Sequence, residues 1–280
     1  MSFIARALKL DRFEPDRIVT SNLVHPITLA ILRGILCVYA LIVIISVWAT
    51  SKSIDGYLKY FTNLTYFGLV TYLVPAEQRE QWLKRGSPWW GWLHWLLYTT
   101  VVTYHIVVPL VYWTMLNVSG SSADTVEVWQ NVSVHALDGV FAVFELIFNR
   151  HFLQPIHSFV VAGVMVLYML LTFLAYADKG TWVYPFLDWS QGAICVAYYF
   201  GIAIGLFIIF FILLALHRIR NRLLARRCAV VNKNEPLEAF QSSHQEQRDQ
   251  QEQQQDTQLD FVQPQQLDIE QGKMEEYEGK

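Results

Sequence analysis

Residues 27–49 read Ile-Thr-Leu-Ala-Ile-Leu-Arg-Gly-Ile-Leu-Cys-Val-Tyr-Ala-Leu-Ile-Val-Ile-Ile-Ser-Val-Trp-Ala. One charge, Arg33, interrupts an apolar run long enough to cross a lipid bilayer, whose hydrocarbon core of ~30 Å takes ~20 residues of helix. A soluble domain has no use for such a run unless other segments of the same kind surround it. Five more occur downstream: Tyr57–Val74, Gly91–Leu116, Trp129–Phe148, Pro155–Ala177 and Gly192–Leu216. Hydrophobic residues make up 54% of the chain and charged residues 16%, which places it among membrane proteins. The expected fold is all-α, a polytopic bundle of six transmembrane helices over residues 27–216.

Orientation follows from the basic residues of the short loops, since Lys and Arg stay on the cytoplasmic side. With the N-terminus inside, Arg6, Lys9, Arg12 and Arg17, then Arg79, Lys84 and Arg85, then Arg150, then Arg218, Arg220, Arg222, Arg226 and Arg227 are all cytoplasmic. The outer loops hold only Lys52 and Lys179. Both termini are therefore expected inside. Tryptophans favour the headgroup region, and they agree: Trp82, Trp89, Trp90, Trp92 and Trp95 fall at one edge, and Trp48, Trp113, Trp129, Trp182 and Trp189 at the other. Arg33 and Lys59 lie near span ends and are expected to snorkel.

Residues 1–26 carry charges of both signs and no cleavable signal peptide. Phe3, Ile4, Leu8, Leu10 and Phe13 suggest a short helix lying on the membrane surface. Past the last span, residues 217–231 form a basic juxtamembrane segment suited to an anionic leaflet. Residues 232–280 are Gln/Glu-rich and acidic, a composition that cannot bury enough apolar surface to order itself. That tail is expected to be disordered and to serve weak cytoplasmic partners. Cys37, Cys195 and Cys228 suggest no disulfide framework, and Cys228 reads as a plain thiol.

Chemistry has few places to reside. The histidines form no H-x-x-H box, and there is no H-E-x-x-H, phosphate loop or G-x-S-x-G elbow. No cofactor, metal or nucleic acid is implied. Ionisable residues inside spans face the bundle interior and mark function, and His135, Asp138 and Glu145 all lie on the fourth span. At about 100° per residue, Asp138 falls about 300° and Glu145 about 280° from His135, on one stripe.

Thr62 and His135 are the sharper pair. Each lies ~8–9 Å along its helix from the outer edge of its span, at ~1.5 Å per residue, so their depths match. A hydroxyl beside a neutral imidazole is the minimal unit of nucleophilic catalysis. Asn63, Thr65 and Tyr66 are candidate oxyanion donors, and Asp138, one turn from His135, a candidate orienter. Pro109 should kink the third span and open space beside it. Two other readings stand beside the enzyme: a transporter or channel with a polar path along the fourth span, and a membrane adaptor acting through its tail.

The stretch Lys59-Tyr60-Phe61-Thr62-Asn63-Leu64-Thr65-Tyr66-Phe67-Gly68, with Asn131-Val132-Ser133-Val134-His135-Ala136-Leu137, resembles the androgen-induced membrane protein family and looks closest to its fungal branch. The resemblance covers roughly residues 30–215. It implies a six-span intramembrane hydrolase of fatty acid esters of hydroxy fatty acids or similar lipid esters, in the endoplasmic reticulum or plasma membrane. It further implies attack by Thr62 on the ester carbonyl, with His135 as base and then acid. Asp138 as orienter comes from the residues and not from the resemblance.

Overall fold

The computed structural model describes residues 6–51, 54–74, 88–116 and 124–234. Among these residues every regular element is helical. Five helical stretches are long and apolar enough to cross a membrane: Pro26–Thr50, Trp89–Leu116, Thr125–Phe148, His157–Lys179 and Ala193–Leu224. The tail from residue 235 and the basic residues Arg79, Lys84 and Arg85 lie outside the described residues.

In chain order the helices are α1 (Asp16–Val19), α2 (Pro26–Thr50), α3 (Ile54–Leu58) and α4 (Phe61–Leu73). They continue with α5 (Pro88–Val111), α6 (Thr125–Val132), α7 (Asp138–Phe148), α8 (His157–Lys179) and α9 (Ala193–Asn234). Two π-helical turns interrupt this pattern. Tyr112–Leu116 extends α5, and Ser133–Leu137 joins α6 to α7.

The apolar surface is turned outward. On α2, Ile27, Ile31, Ile35, Val38, Ile42 and Ile45 recur at helical spacing and are all exposed, while Leu29, Arg33, Cys37, Ala40 and Val43 are buried. A stripe of that size is untenable in water and natural in lipid. The interior holds Trp95, Tyr98, Thr99, Thr103 and His105, giving α5 the most buried path of the five long helices.

The second expected span differs from its reading. It is not one helix over Tyr57–Val74 but two pieces, α3 and α4, parted at Lys59 and Tyr60, with α4 only 13 residues long. Thr62 therefore lies in the first turn of a helix, not one and a half turns in. Phe61, Thr62, Tyr66, Leu69, Val70, Tyr72 and Leu73 are buried, so α4 sits within the bundle. A linear hydropathy reading has no way to see this break, because tertiary partners supply it.

Phe3 and Ile4 lie outside the described residues, and the rest of the N-terminal segment packs on the helices. Leu10 and Ile18 are buried, Phe13 packs against Trp95 and His151, and the Leu8 carbonyl pairs with His157. Cys37 and Cys195 are buried thiols.

Close approach of α5 and α7 rests on two residues. Pro109 cannot donate to the His105 carbonyl one turn earlier. Gly139 fills the space beside that carbonyl: a Cβ there would lie 3.1 Å from the His105 oxygen and 3.6 Å from the Pro109 ring.

Candidate functional site

The start of α4 is built by residues far away in sequence. Tyr60, at φ −86° and ψ 129°, offers no side-chain cap, and the first backbone N–H groups of any helix lack internal partners. Two phenols fill the gap. The Phe61 N–H donates to Tyr168 Oη at 3.1 Å and to Tyr184 Oη at 3.0 Å. Tyr168 in turn donates to the Lys59 carbonyl at 2.9 Å. The break is thus held from α8 and from the 180–192 connection. Thr62 follows at the positive end of the helix dipole, with its side chain against the Tyr184 hydroxyl. Burial pushes the Tyr184 phenol above its ordinary range, so it stays protonated.

His135 occupies the middle of the π turn Ser133–Leu137. Such turns are uncommon and recur at functional sites. The Trp113 indole N–H donates to the His135 carbonyl at 2.7 Å. The Tyr112 ring lies flat on the imidazole, with centroids 3.6 Å apart and planes 5° apart. Both aromatics open the second π turn. His135 Nδ1 is buried with no hydrogen-bond partner among the described residues.

Thr62 and His135 line the same two pockets. One, of about 260 Å³, is walled mainly by apolar side chains of α5, α8 and α9, among them Val107, Met165, Ile202 and Phe207. The other, of about 350 Å³, includes Ser51, Asn63, Gln130 and Asn131 and is more polar. Thr62, Tyr112, Leu116, His135 and Tyr184 border both. Both residues therefore border an apolar chamber and a more polar one, with no hydrogen bond between their side chains.

The remaining site candidates make contacts of their own. Asn63 donates its amide to the Tyr57 carbonyl at 2.9 Å, and Thr65 donates its hydroxyl to the Thr62 carbonyl at 3.0 Å. Both brace the backbone around Thr62. Asp138 accepts from the Gly139 N–H at 2.8 Å, and no bond joins it to the His135 ring. The intervening π turn shifts the register, so an α-helical projection from His135 to Asp138 does not hold. Glu145 is fully buried and held by Arg33, Tyr72 and Asn149. It belongs to an ion-pair network and not to an open polar path. Arg33 is likewise buried and paired, so it does not snorkel as expected.

Sequence reasoning missed Tyr112, Trp113, Tyr168 and Tyr184. Trp113 carried a signal only as an interface marker. The phenols carried none, because an aromatic inside a span is ordinarily packing. Among the described residues no group of three or more His, Cys, Asp or Glu is placed to hold a metal ion.

Fold and site together define a multi-pass helical membrane protein in which buried Thr62 and His135 both line an apolar chamber. The model of the FAR-17a/AIG1-like protein family matches residues 27–218, and the chain belongs to that family. No curated protein and no solved structure matches it.

Proposed function

We propose that this protein is an intramembrane threonine hydrolase of lipid esters, with Thr62 as nucleophile and His135 as general base. The observation that carries this reading is that both residues border the same apolar chamber and the same polar pocket. The chamber, at about 260 Å³, is slightly smaller than the roughly 300–1,000 Å³ usual for ligand pockets. An acyl chain suits its walls, and the polar pocket suits the alcohol portion and the hydrolytic water.

The chemistry then runs in two halves. Thr62 Oγ1 attacks the ester carbonyl while the imidazole takes its proton. The same proton passes to the departing alcohol oxygen as the C–O bond breaks, leaving an acyl-threonine. Water from the polar pocket attacks that ester, again with His135 as base. The carboxylic acid leaves and Thr62 recovers its hydroxyl. The positive end of α4 and the Tyr184 hydroxyl would stabilise the developing oxyanion. Asn63 and Thr65 support Thr62 through the backbone. The pairing of Glu145 with Arg33 disfavours a transport path along this helix.

The test is hydrolysis of long-chain fatty acid esters of hydroxy fatty acids by the purified full chain in phosphatidylcholine vesicles. Thr62→Ala and His135→Ala should each lower the rate by at least about a hundredfold. A Thr62→Ala variant with the wild-type rate would overturn the reading.

A further inference from the structure

The ring of a general base must be held in one orientation, and in serine hydrolases a carboxylate at its far nitrogen does this. Here no carboxylate among the described residues bonds the imidazole. Asp138 binds the Gly139 N–H, and His135 Nδ1 is buried with no partner among the described residues. Something else must hold the imidazole.

Resting on the hydrolase reading, we propose that Tyr112 is the positioning residue for His135, its ring face taking the part that a carboxylate plays in a triad. Three contacts support this. The rings are parallel at 3.6 Å and 5°. Trp113 stands edge-on to Tyr112, with centroids 5.2 Å apart and planes at 88°. The Trp113 indole also fixes the His135 backbone through its carbonyl. Tyr112 and Trp113 are adjacent, so one short segment of the π turn after Pro109 grips both the ring and the main chain of His135. Two π turns on neighbouring elements meet at this contact, which a regular helix on either side would not present in the same register.

The stack has an electronic consequence as well. An aromatic face carries partial negative charge and attracts a cation placed over it. The imidazole becomes cationic only after taking the Thr62 proton, so the attraction strengthens as the transition state forms. An interaction stronger in the transition state than in the ground state raises kcat and leaves KM alone. The hydroxyl of Tyr112 has no part in this.

The experiment uses the full chain in phosphatidylcholine vesicles with Thr62→Ala as the reference for lost chemistry. Tyr112→Phe should keep kcat within about twofold, and Tyr112→Leu should lower it about tenfold with KM unchanged. Phenylalanines carrying one to five ring fluorines, placed at position 112, keep the shape while weakening the face charge. With them kcat should fall stepwise with fluorine number, and this series decides the matter if Tyr112→Leu fails to fold. Equal kcat across the fluorinated series, or Tyr112→Phe as impaired as Tyr112→Leu, would overturn the proposal while leaving Thr62 chemistry intact. Activity that survives Thr62→Ala would instead overturn the hydrolase reading beneath it.

Discussion

Arg33 and Glu145, on α2 and α7, form a two-pronged ion pair inside the bundle. Arg33 Nε lies 2.7 Å from Glu145 Oε1 and Nη2 lies 2.6 Å from Oε2. The same guanidinium reaches the Ile18 carbonyl, and Tyr72 and Asn149 complete the carboxylate's partners at 2.8 Å each. One side chain thus ties α1, α2, α4 and α7 together.

Removing one member of such a pair strands a buried charge, at a cost of about 3–5 kcal/mol, whereas removing both costs far less. Arg33→Met and Glu145→Met should each lower the melting temperature sharply in detergent. The double variant should recover much of the loss. A scanning thermal melt of the three variants checks this, and additive losses would contradict it.

Part of this architecture is legible in the sequence. Apolar run length places five of the membrane-length helices, and the resemblance over residues 30–215 accords with the family match over residues 27–218. A depth count from the expected span edges draws attention to Thr62 and His135, although the break at Lys59 and Tyr60 puts Thr62 in the first turn of α4. What escapes is whatever depends on partners distant in the chain. Arg33 reads as a snorkelling residue and Glu145 as part of a polar path until the fold pairs them across 112 positions. The break before Phe61 is invisible because Tyr168 and Tyr184, more than a hundred residues away, create it. The π turns shift register by an amount no hydropathy pattern records, which is why Asp138 faces His135 only on an ideal helix.

Gly139 should tolerate no larger side chain. A methyl group there meets the His105 carbonyl at 3.1 Å, and backbone does not yield easily. Gly139→Ala should destabilise by about 1–3 kcal/mol and Gly139→Val by more. Gly163, with nothing within 4 Å of its would-be Cβ, is the control, and Gly163→Ala should leave the melting temperature unchanged or slightly raised. Equal effects at the two sites would refute the packing argument.

Tyr184 links the 180–192 connection to the start of α4. Tyr184→Phe deletes one of two acceptors for the Phe61 N–H, and Tyr168 keeps the other. Stability should fall by only about 1 kcal/mol, while ester hydrolysis should drop about tenfold through the lost oxyanion contact. Rates and melts measured on one preparation separate the two effects. A rate unchanged from wild type would remove Tyr184 from the site.

His151 lies between α7 and α8, and burial holds its imidazole well below the usual histidine range. The folded protein keeps it neutral, while the unfolded chain takes up a proton near pH 6.5. Its contribution to stability is therefore complete above about pH 6.5 and declines as the pH falls below that value. Melting temperatures in detergent should drop between pH 7 and pH 5. His151→Phe, which keeps a ring against Phe13 and Tyr98, should flatten part of that slope. An identical slope in the variant would exclude His151 as a cause.

Covalent trapping reaches the central claim most directly. The purified protein is treated with a long-chain alkyl fluorophosphonate, digested, and the modified residue located by mass spectrometry. An activated threonine predicts a single adduct on Thr62, lost in Thr62→Ala and in His135→Ala while both variants stay folded. An adduct on another residue, or labelling that persists in Thr62→Ala, would show that Thr62 is not the nucleophile.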